Sequence, residues 1–254
     1  MGDSSFFIHD EAKQSQRVAK KQNIVLDFLA NEMFSTSEIL GQLLGLSRTA
    51  TFKTLKSMEK QDLVKLHYIE YELAQRGKQT IWGLTPAGAL LATDLDNFQI
   101  DFYEAGRIAT STMAHSLAIQ RVKVAGLTKG WIDWVSSRKL KQIAAKDKKK
   151  WKQIPDALAT SLDGKVIAFE VEKTVKTPKR YEVILSNYAK MFLEQTVDQV
   201  FYIGPKNIVK RLERLFSNID KLVVDGKSYL VHEKVLKRIQ FLSYDEWNEL
   251  KEVK

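Results

Sequence analysis

The stretch Pro155–Tyr188, PDALATSLDGKVIAFEVEKTVKTPKRYEVILSNY, admits few folds. It reads as a strand, a tight turn at Asp163-Gly164, a second strand and then a helix. The second strand, Val166–Val171, is apolar almost throughout, yet Glu170 and Glu172 stand at its end, two residues apart. Residues i and i+2 of a strand share a face, so these carboxylates point the same way. Asp156, directly after Pro155, supplies a third from the first strand. Three convergent carboxylates at the end of a buried hairpin suit a hard, oxygen-seeking cation, Mg2+ or Mn2+.

The hairpin register decides whether Asp156 joins the other two. A two-residue turn pairs Leu162 with Lys165 and sets Asp156 against Val171, on the wrong face. A three-residue loop, with Gly164 in the left-handed region, pairs Ser161 with Lys165 and sets Asp156 opposite Glu170. Glycine at the third loop position is what this bulged hairpin requires, so the second register is expected. The plain alternative is a set of strand-end carboxylates in ion pairs with Lys173 or Lys176. Against it stands the cost of burying carboxylates beside Val166–Phe169 unless they are paired or bound to metal.

Pro155-Asp156 followed by Glu170-Val171-Glu172 resembles the PD-(D/E)XK nuclease signature. There an Asp and a Glu hold the metal, and a Lys two residues after the Glu orients the attacking water. Here Glu172 stands at the Lys position, a variant that some restriction endonucleases share. Lys176 is the candidate for the missing Lys role. FEVEKTVKTPKRYEVILSNY, together with the segment before it, also resembles the replication–relaxation family, the MobC-type relaxases of mobilisable plasmids, over roughly residues 20 to 210. The resemblance implies a restriction-endonuclease-like mixed-sheet core behind an N-terminal winged helix. It also implies a metal-dependent enzyme that nicks one DNA strand at a transfer origin. In that reading Asp156, Glu170 and Glu172 are metal ligands, and these three with Lys176 form the catalytic set.

The chain contains no cysteine, which excludes disulfides, thiolate zinc sites and cysteine nucleophiles and fits a cytoplasmic protein. No apolar run is long enough for a membrane span, and no secretory leader is expected. The four histidines, at 9, 67, 115 and 232, are scattered, unlike the three-histidine centre of tyrosine relaxases. No GxxxxGK[ST] loop appears. Tyr181 and Tyr188 could in principle attack a phosphodiester, but their spacing fits a packed helix stripe. The net charge is +9. Residues 1–98 are nearly neutral, so the excess lies in 99–254 and points to a polyanionic partner.

Residues 1–20 read as a flexible arm. From Gln22, helical spacing of Ile24, Val25, Phe28 and Leu29 opens a domain expected to span 21–98. Ser35-Thr36-Ser37 starts a second helix, with Ile39, Leu40, Leu43 and Leu44 inward, ended by Gly45. Ser47 caps a third helix, Arg48 to about Lys60, with Phe52, Leu55 and Met58 as its inner face. Strands at Leu63–Leu66, Tyr68–Leu73 and Thr80–Leu84, with a polar turn at Gln75–Lys78, and a helix begun by Thr85-Pro86 complete a winged helix-turn-helix. Its third helix would enter the major groove with Arg48, Thr49, Lys53 and Lys56 outward. A winged helix that binds protein instead is the rival reading.

A domain at 99–254 is expected to open with a helix. The helical pattern covers residues 93–126, with Phe98, Phe102, Ile108, Met113, Leu117 and Val122 as its stripe, and links the two parts. His115 lies in it and is read as structural. Trp131–Val135 is the first core strand. The basic run Arg138–Lys152 follows, and Lys146, Lys148, Lys149 and Lys150 are expected on the DNA backbone with Trp151 stacking a base. A solvated loop is the alternative. A helix at 178–190, a strand at 197–203, a basic helix at 208–216 and edge strands at 221–224 and 229–231 complete a mixed α/β (α+β) sheet domain. The expected partners are double- and single-stranded DNA and accessory transfer proteins. The alternative function is a plasmid replication or transcription factor with a catalytically inactive core.

Overall fold

A computed structural model describes residues 11–69, 79–92, 102–104, 108–146 and 151–250. The chain divides into two compact units, residues 1–120 and 121–254.

The first unit opens with α1 (Glu11–Glu32), so ten residues expected in the arm are helical. Glu11–Gln22 carries neither Gly nor Pro and is rich in strong helix formers, which lets the helix extend outward from its buried Val25, Leu26, Phe28 and Leu29. There follow β1 (Phe34–Ser35), α2 (Ser37–Leu44), α3 (Arg48–Lys60), β2 (Val64–Ile69), β3 (Gln79–Leu84) and α4 (Pro86–Leu91). The three strands form an antiparallel sheet in the order β1-β3-β2. Thr36 caps α2 through the Ile39 N–H, Ser47 caps α3 through Ala50, and Thr85 caps α4 ahead of Pro86.

The inner face of α3 is Thr51, Leu55 and Met58, at positions i, i+4 and i+7. Phe52, expected inside, is 48% exposed, because Thr51 takes the inward position on that turn. Leu43 and Leu44 are half-buried rather than buried. Residues 102–104 are not helical. Tyr103 lies against β3, where its Cβ comes within 2.8 Å of the point a Cβ on Gly83 would occupy, and its ring meets Phe34 edge-on at 5.6 Å. That packing displaces the helix expected there, and α5 (Thr110–Thr128) begins later. The turn expected at Gln75–Lys78 and Phe98 lie outside the described residues.

The second unit contains β4 (Ile132–Ser136), α6 (Ser137–Lys146), β5 (Ala157–Thr160), β6 (Val166–Val171), α7 (Pro178–Leu193), β7 (Gln199–Gly204) and α8 (Lys206–Ser217). It continues with β8 (Lys221–Val224), β9 (Lys227–Leu230), α9 (Glu233–Leu236), β10 (Ile239–Ser243) and α10 (Tyr244–Glu249). Its mixed sheet runs β10-β7-β6-β5-β4. β6, β7 and β10 are parallel, and β5 is antiparallel to both β4 and β6.

One face packs Ala168, Val200 and Tyr202 against Tyr181, Leu185 and Tyr188 of α7 and Leu212 and Phe216 of α8. The other carries an aromatic cluster of Trp131, Trp134, Phe169, Phe201 and Trp247. The Trp247 indole N–H donates to the Val122 carbonyl at 3.1 Å, which pins α10 to α5. β8 and β9 form a separate hairpin rather than edges of the main sheet, and the sheet is closed at that side by β10.

Candidate active site

The β5–β6 hairpin takes the three-residue loop. The Ser161 N–H donates to the Lys165 carbonyl at 2.9 Å, and the Gly164 N–H donates to the Ser161 carbonyl at 2.9 Å. Gly164 sits at φ +78°, in the left-handed region glycine enters without a Cβ penalty. Pairing of Thr160 with Val166 and Ala157 with Phe169 carries Asp156 opposite Glu170 when extended by one residue. The Asp156 N–H donates to the Phe169 carbonyl at 3.0 Å, and Asp156 Oδ2 accepts the Val171 N–H at 2.8 Å.

Glu170 lies beside Tyr202 of β7 in the parallel register, so both project onto the α7 face. Glu170 is buried, with Oε1 accepting the Tyr188 hydroxyl at 2.5 Å and the Gln153 amide at 3.1 Å. Burial, and then the neighbouring Asp156 charge, push the Glu170 carboxyl up to about 8. The hydroxyl and amide donors oppose that rise without cancelling it.

Glu172 is also buried, and the Lys176 ammonium donates to its Oε1. The Tyr181 hydroxyl accepts the Lys176 backbone N–H at 3.2 Å. Burial pushes the Tyr181 phenol up to about 12, and drives those of Tyr188 and Tyr202 well above their ordinary range. All three side chains are fully buried in the packed stripe. The Tyr202 hydroxyl is buried without a hydrogen-bond partner.

The structure therefore brings Asp156 and Glu170 side by side and turns Glu172 to Lys176. Among the described residues, no three Asp, Glu, His or Cys side chains converge as a cation-binding group. The donor chemistry of Asp156 and Glu170 nevertheless fits a hard divalent ion. Burial raises Glu170 first, the neighbouring Asp156 charge adds to it because two adjacent carboxyl groups repel when both ionise, and a cation between them would relieve that repulsion.

Gly204 fixes the approach of β7 to this end of β6. A Cβ there would lie 2.2 Å from the Glu172 carbonyl oxygen. Gln153 and Tyr188 are the site residues that sequence reasoning missed. The helical spacing of Tyr188 reports burial but not the destination of its hydroxyl, and nothing in the sequence pairs Gln153 with Glu170.

The other expected contacts divide. Arg48, Thr49 and Lys53 are exposed on α3, as is Phe52. Lys56 is drawn aside: its ammonium pairs with Glu59 at 2.5 Å and lies 5.7 Å from the Trp82 ring centroid. Lys146 is exposed at the end of α6, and Lys148, Lys149 and Lys150 lie outside the described residues. The first part of the basic run is thus an amphipathic helix that buries Leu140 and Ala144. Trp151 packs against the core with its indole N–H buried, so it is not presented for base stacking. No described helix is long and apolar enough to cross a membrane.

Residues 26–201 match the replication-relaxation family. No curated protein matches the chain. Among solved structures, an apo form of a double mutant of Lactococcus lactis ZitR is 26% identical over 32% of this chain and 58% of that one, with a TM-score of 0.25.

Proposed function

The chain belongs to the replication-relaxation family, and on that premise we propose that it is a metal-dependent endonuclease that nicks one DNA strand at a plasmid transfer or replication origin. The first unit is read as a winged helix that docks α3 on duplex DNA through Arg48, Thr49 and Lys53. The second is read as a nuclease-like core of PD-(D/E)XK type. One observation carries the reading: the hairpin register sets Asp156 opposite Glu170 at the end of β6.

Asp156 and Glu170 would hold Mg2+ or Mn2+. When bound, the ion supplies an acidified water and charge neutralisation at the scissile phosphate. The chain's own residues do the rest. Tyr188 and Gln153 fix one oxygen of Glu170, so that the other keeps a set direction. Lys176, held on Glu172, places an ammonium beside the carboxylates from four residues further along the chain. That is how a cation can act here although Glu172 occupies the usual Lys position.

A replication or transcription factor with an inactive core is the second reading, favoured by one observation: Glu172 is committed to Lys176 rather than to the carboxylate pair. The test is conversion of supercoiled plasmid carrying the cognate origin to open circles, with purified protein and Mn2+. Nicking by the wild type, lost in Asp156→Asn and Glu170→Gln while DNA binding persists, supports the enzyme. Origin binding without nicking in Mn2+ or Mg2+ overturns it in favour of the second reading.

A further inference from the structure

Strand direction collects a set of cations at one edge of the five-stranded sheet. β6, β7 and β10 end there, antiparallel β5 begins there, and β4 ends there. Lys139 lies in the first turn of α6, whose Ser137 N–H donates to the Asp156 carbonyl at 3.0 Å. Lys173 directly follows Glu172. Lys179 and Arg180 occupy the first turn of α7, and Lys206 opens α8 straight after Gly204-Pro205, with Lys210 one turn further on. All six are exposed. Among the described residues none of them forms an ion pair, whereas Lys165, Lys190 and Lys237 are each matched with a carboxylate.

The acids of the same edge offset this set only in part. Glu170 and Glu172 are buried, and Glu172 is taken by Lys176. Glu246, on the β10 flank, accepts the Ser243 N–H in a capping box, and its charge is felt by Lys206 and Lys210 alone of the six. Unmatched like charges on adjacent element ends oppose compaction, and a polyanion reverses that cost. A phosphodiester drawn toward the pair would also meet the Asp156 charge, which repels it unless cations flank the site.

We propose that this edge is a DNA-backbone surface in its own right, in which Lys139, Lys173, Lys179, Arg180, Lys206 and Lys210 hold the strand across the carboxylate pair. The choice of DNA over other polyanions rests on the function proposed above. The surface differs from the Lys146–Lys150 segment expected from sequence, which begins at the far end of α6. It is independent of sequence, since ammonium and guanidinium groups read phosphate rather than base edges here.

The test uses the full chain in EDTA and a fluorescein-labelled duplex of arbitrary sequence, with anisotropy measured between 50 and 200 mM salt. One variant carries Lys139→Glu, Lys173→Glu, Lys206→Glu and Lys210→Glu. A control of equal charge change carries Lys165→Glu, Lys227→Glu, Lys234→Glu and Lys237→Glu. The edge variant is expected to bind at least about tenfold more weakly, with the slope of log affinity against log salt smaller by about three. The control should lose much less. Equal weakening in both variants, or none in either, overturns the inference. If the quadruple variant fails to fold, Lys139→Ala and Lys206→Ala take its place, each expected to reduce the slope by about one. Because no metal is present, binding is separated from nicking. A wild type that binds through this edge but never nicks refutes the enzyme and leaves the surface standing.

Discussion

The Tyr188 hydroxyl donates to Glu170 Oε1 at 2.5 Å, from a side chain wholly inside the α7–sheet core. A buried carboxyl depends on its donors more than an exposed one does, since no water replaces them. Tyr188→Phe keeps the ring and removes the donor. It should cost about 1–3 kcal/mol of stability. The loss should be larger at pH 9 than at pH 6, because the hydroxyl supports the ionised form most. Urea unfolding at the two pH values reads this. An equal loss at both would show that the bond does not favour the carboxylate.

Glu170 makes the metal-free protein sensitive to pH in an unusual direction. Its carboxyl titrates at about 8 when folded, against an ordinary value of 4.5. A raised acid contributes stability that is complete below the unfolded value and is lost as pH rises through the folded one. Between pH 5 and 8.5 the melting temperature in EDTA should fall by about 5 °C or more relative to Glu170→Gln, whose amide does not titrate. Mn2+ at about 100 times its Kd should return about 2.7 kcal/mol to the wild type and almost nothing to Glu170→Gln. Parallel melting curves for the two proteins across this range would sink the assignment.

Much of this site could be read from the residues alone, because strand alternation and loop chemistry are local rules. Gly164 at the third loop position selected the register, and the register set Asp156 against Glu170. The stripe Tyr181, Ile184, Leu185 and Tyr188 was legible as a buried face of α7. What was hidden lies in long-range choices. β10 (IQFLS) is a short, half-buried strand with no clean alternation, and only its parallel pairing with β7 makes it part of the sheet. Phe52 looked like core by residue type, but the phase of α3 is set by Leu55 and Met58, and Thr51 fits that phase better. α1 ran past its apolar stripe because propensity alone sustains a helix there.

The junction of β6 with β7 tolerates no side chain at Gly204. An added Cβ meets the Glu172 carbonyl oxygen, a backbone atom in the middle of the strand ends, at 2.2 Å. The Glu172 N–H is meanwhile bonded to the Ile203 carbonyl at 2.9 Å, so neither strand can retreat without losing that bond. Gly204→Ala should therefore destabilise the second unit by more than about 2 kcal/mol, measured by chemical denaturation. Wild-type stability in this variant would mean that the two strands lie further apart.

Lys176 and Glu172 form a half-buried ion pair whose partners are unequally exposed, at 30% and 7% of the side chain. Removing the exposed member strands the buried one. Lys176→Met should cost about 1–3 kcal/mol, and Glu172→Gln in the same chain should recover part of that loss. If Lys176 also serves the reaction, the double variant regains stability without regaining nicking. Recovery of both together would limit Lys176 to holding Glu172.

Two lysines one turn apart on α3 should behave differently. Lys53 is exposed, whereas Lys56 is held by Glu59, whose other oxygen accepts the Leu66 N–H at 3.4 Å. The Lys56 ammonium also lies 5.8 Å from the centroid of the Phe52 ring. Lys53→Ala should weaken DNA binding at all sequences and lower the salt slope by about one, with stability unchanged within about 0.5 kcal/mol. Lys56→Ala should lower the slope little, since its charge is already matched, and should show its effect in thermal stability instead. Phe52→Ala should leave stability nearly unchanged, because the ring is 48% exposed, and should weaken binding only if α3 meets the DNA. Anisotropy titrations and melting curves on the three variants separate these outcomes. An equal salt-slope change for Lys53→Ala and Lys56→Ala would mean that the Glu59 pair opens on binding, and no change for either would remove α3 from the interface.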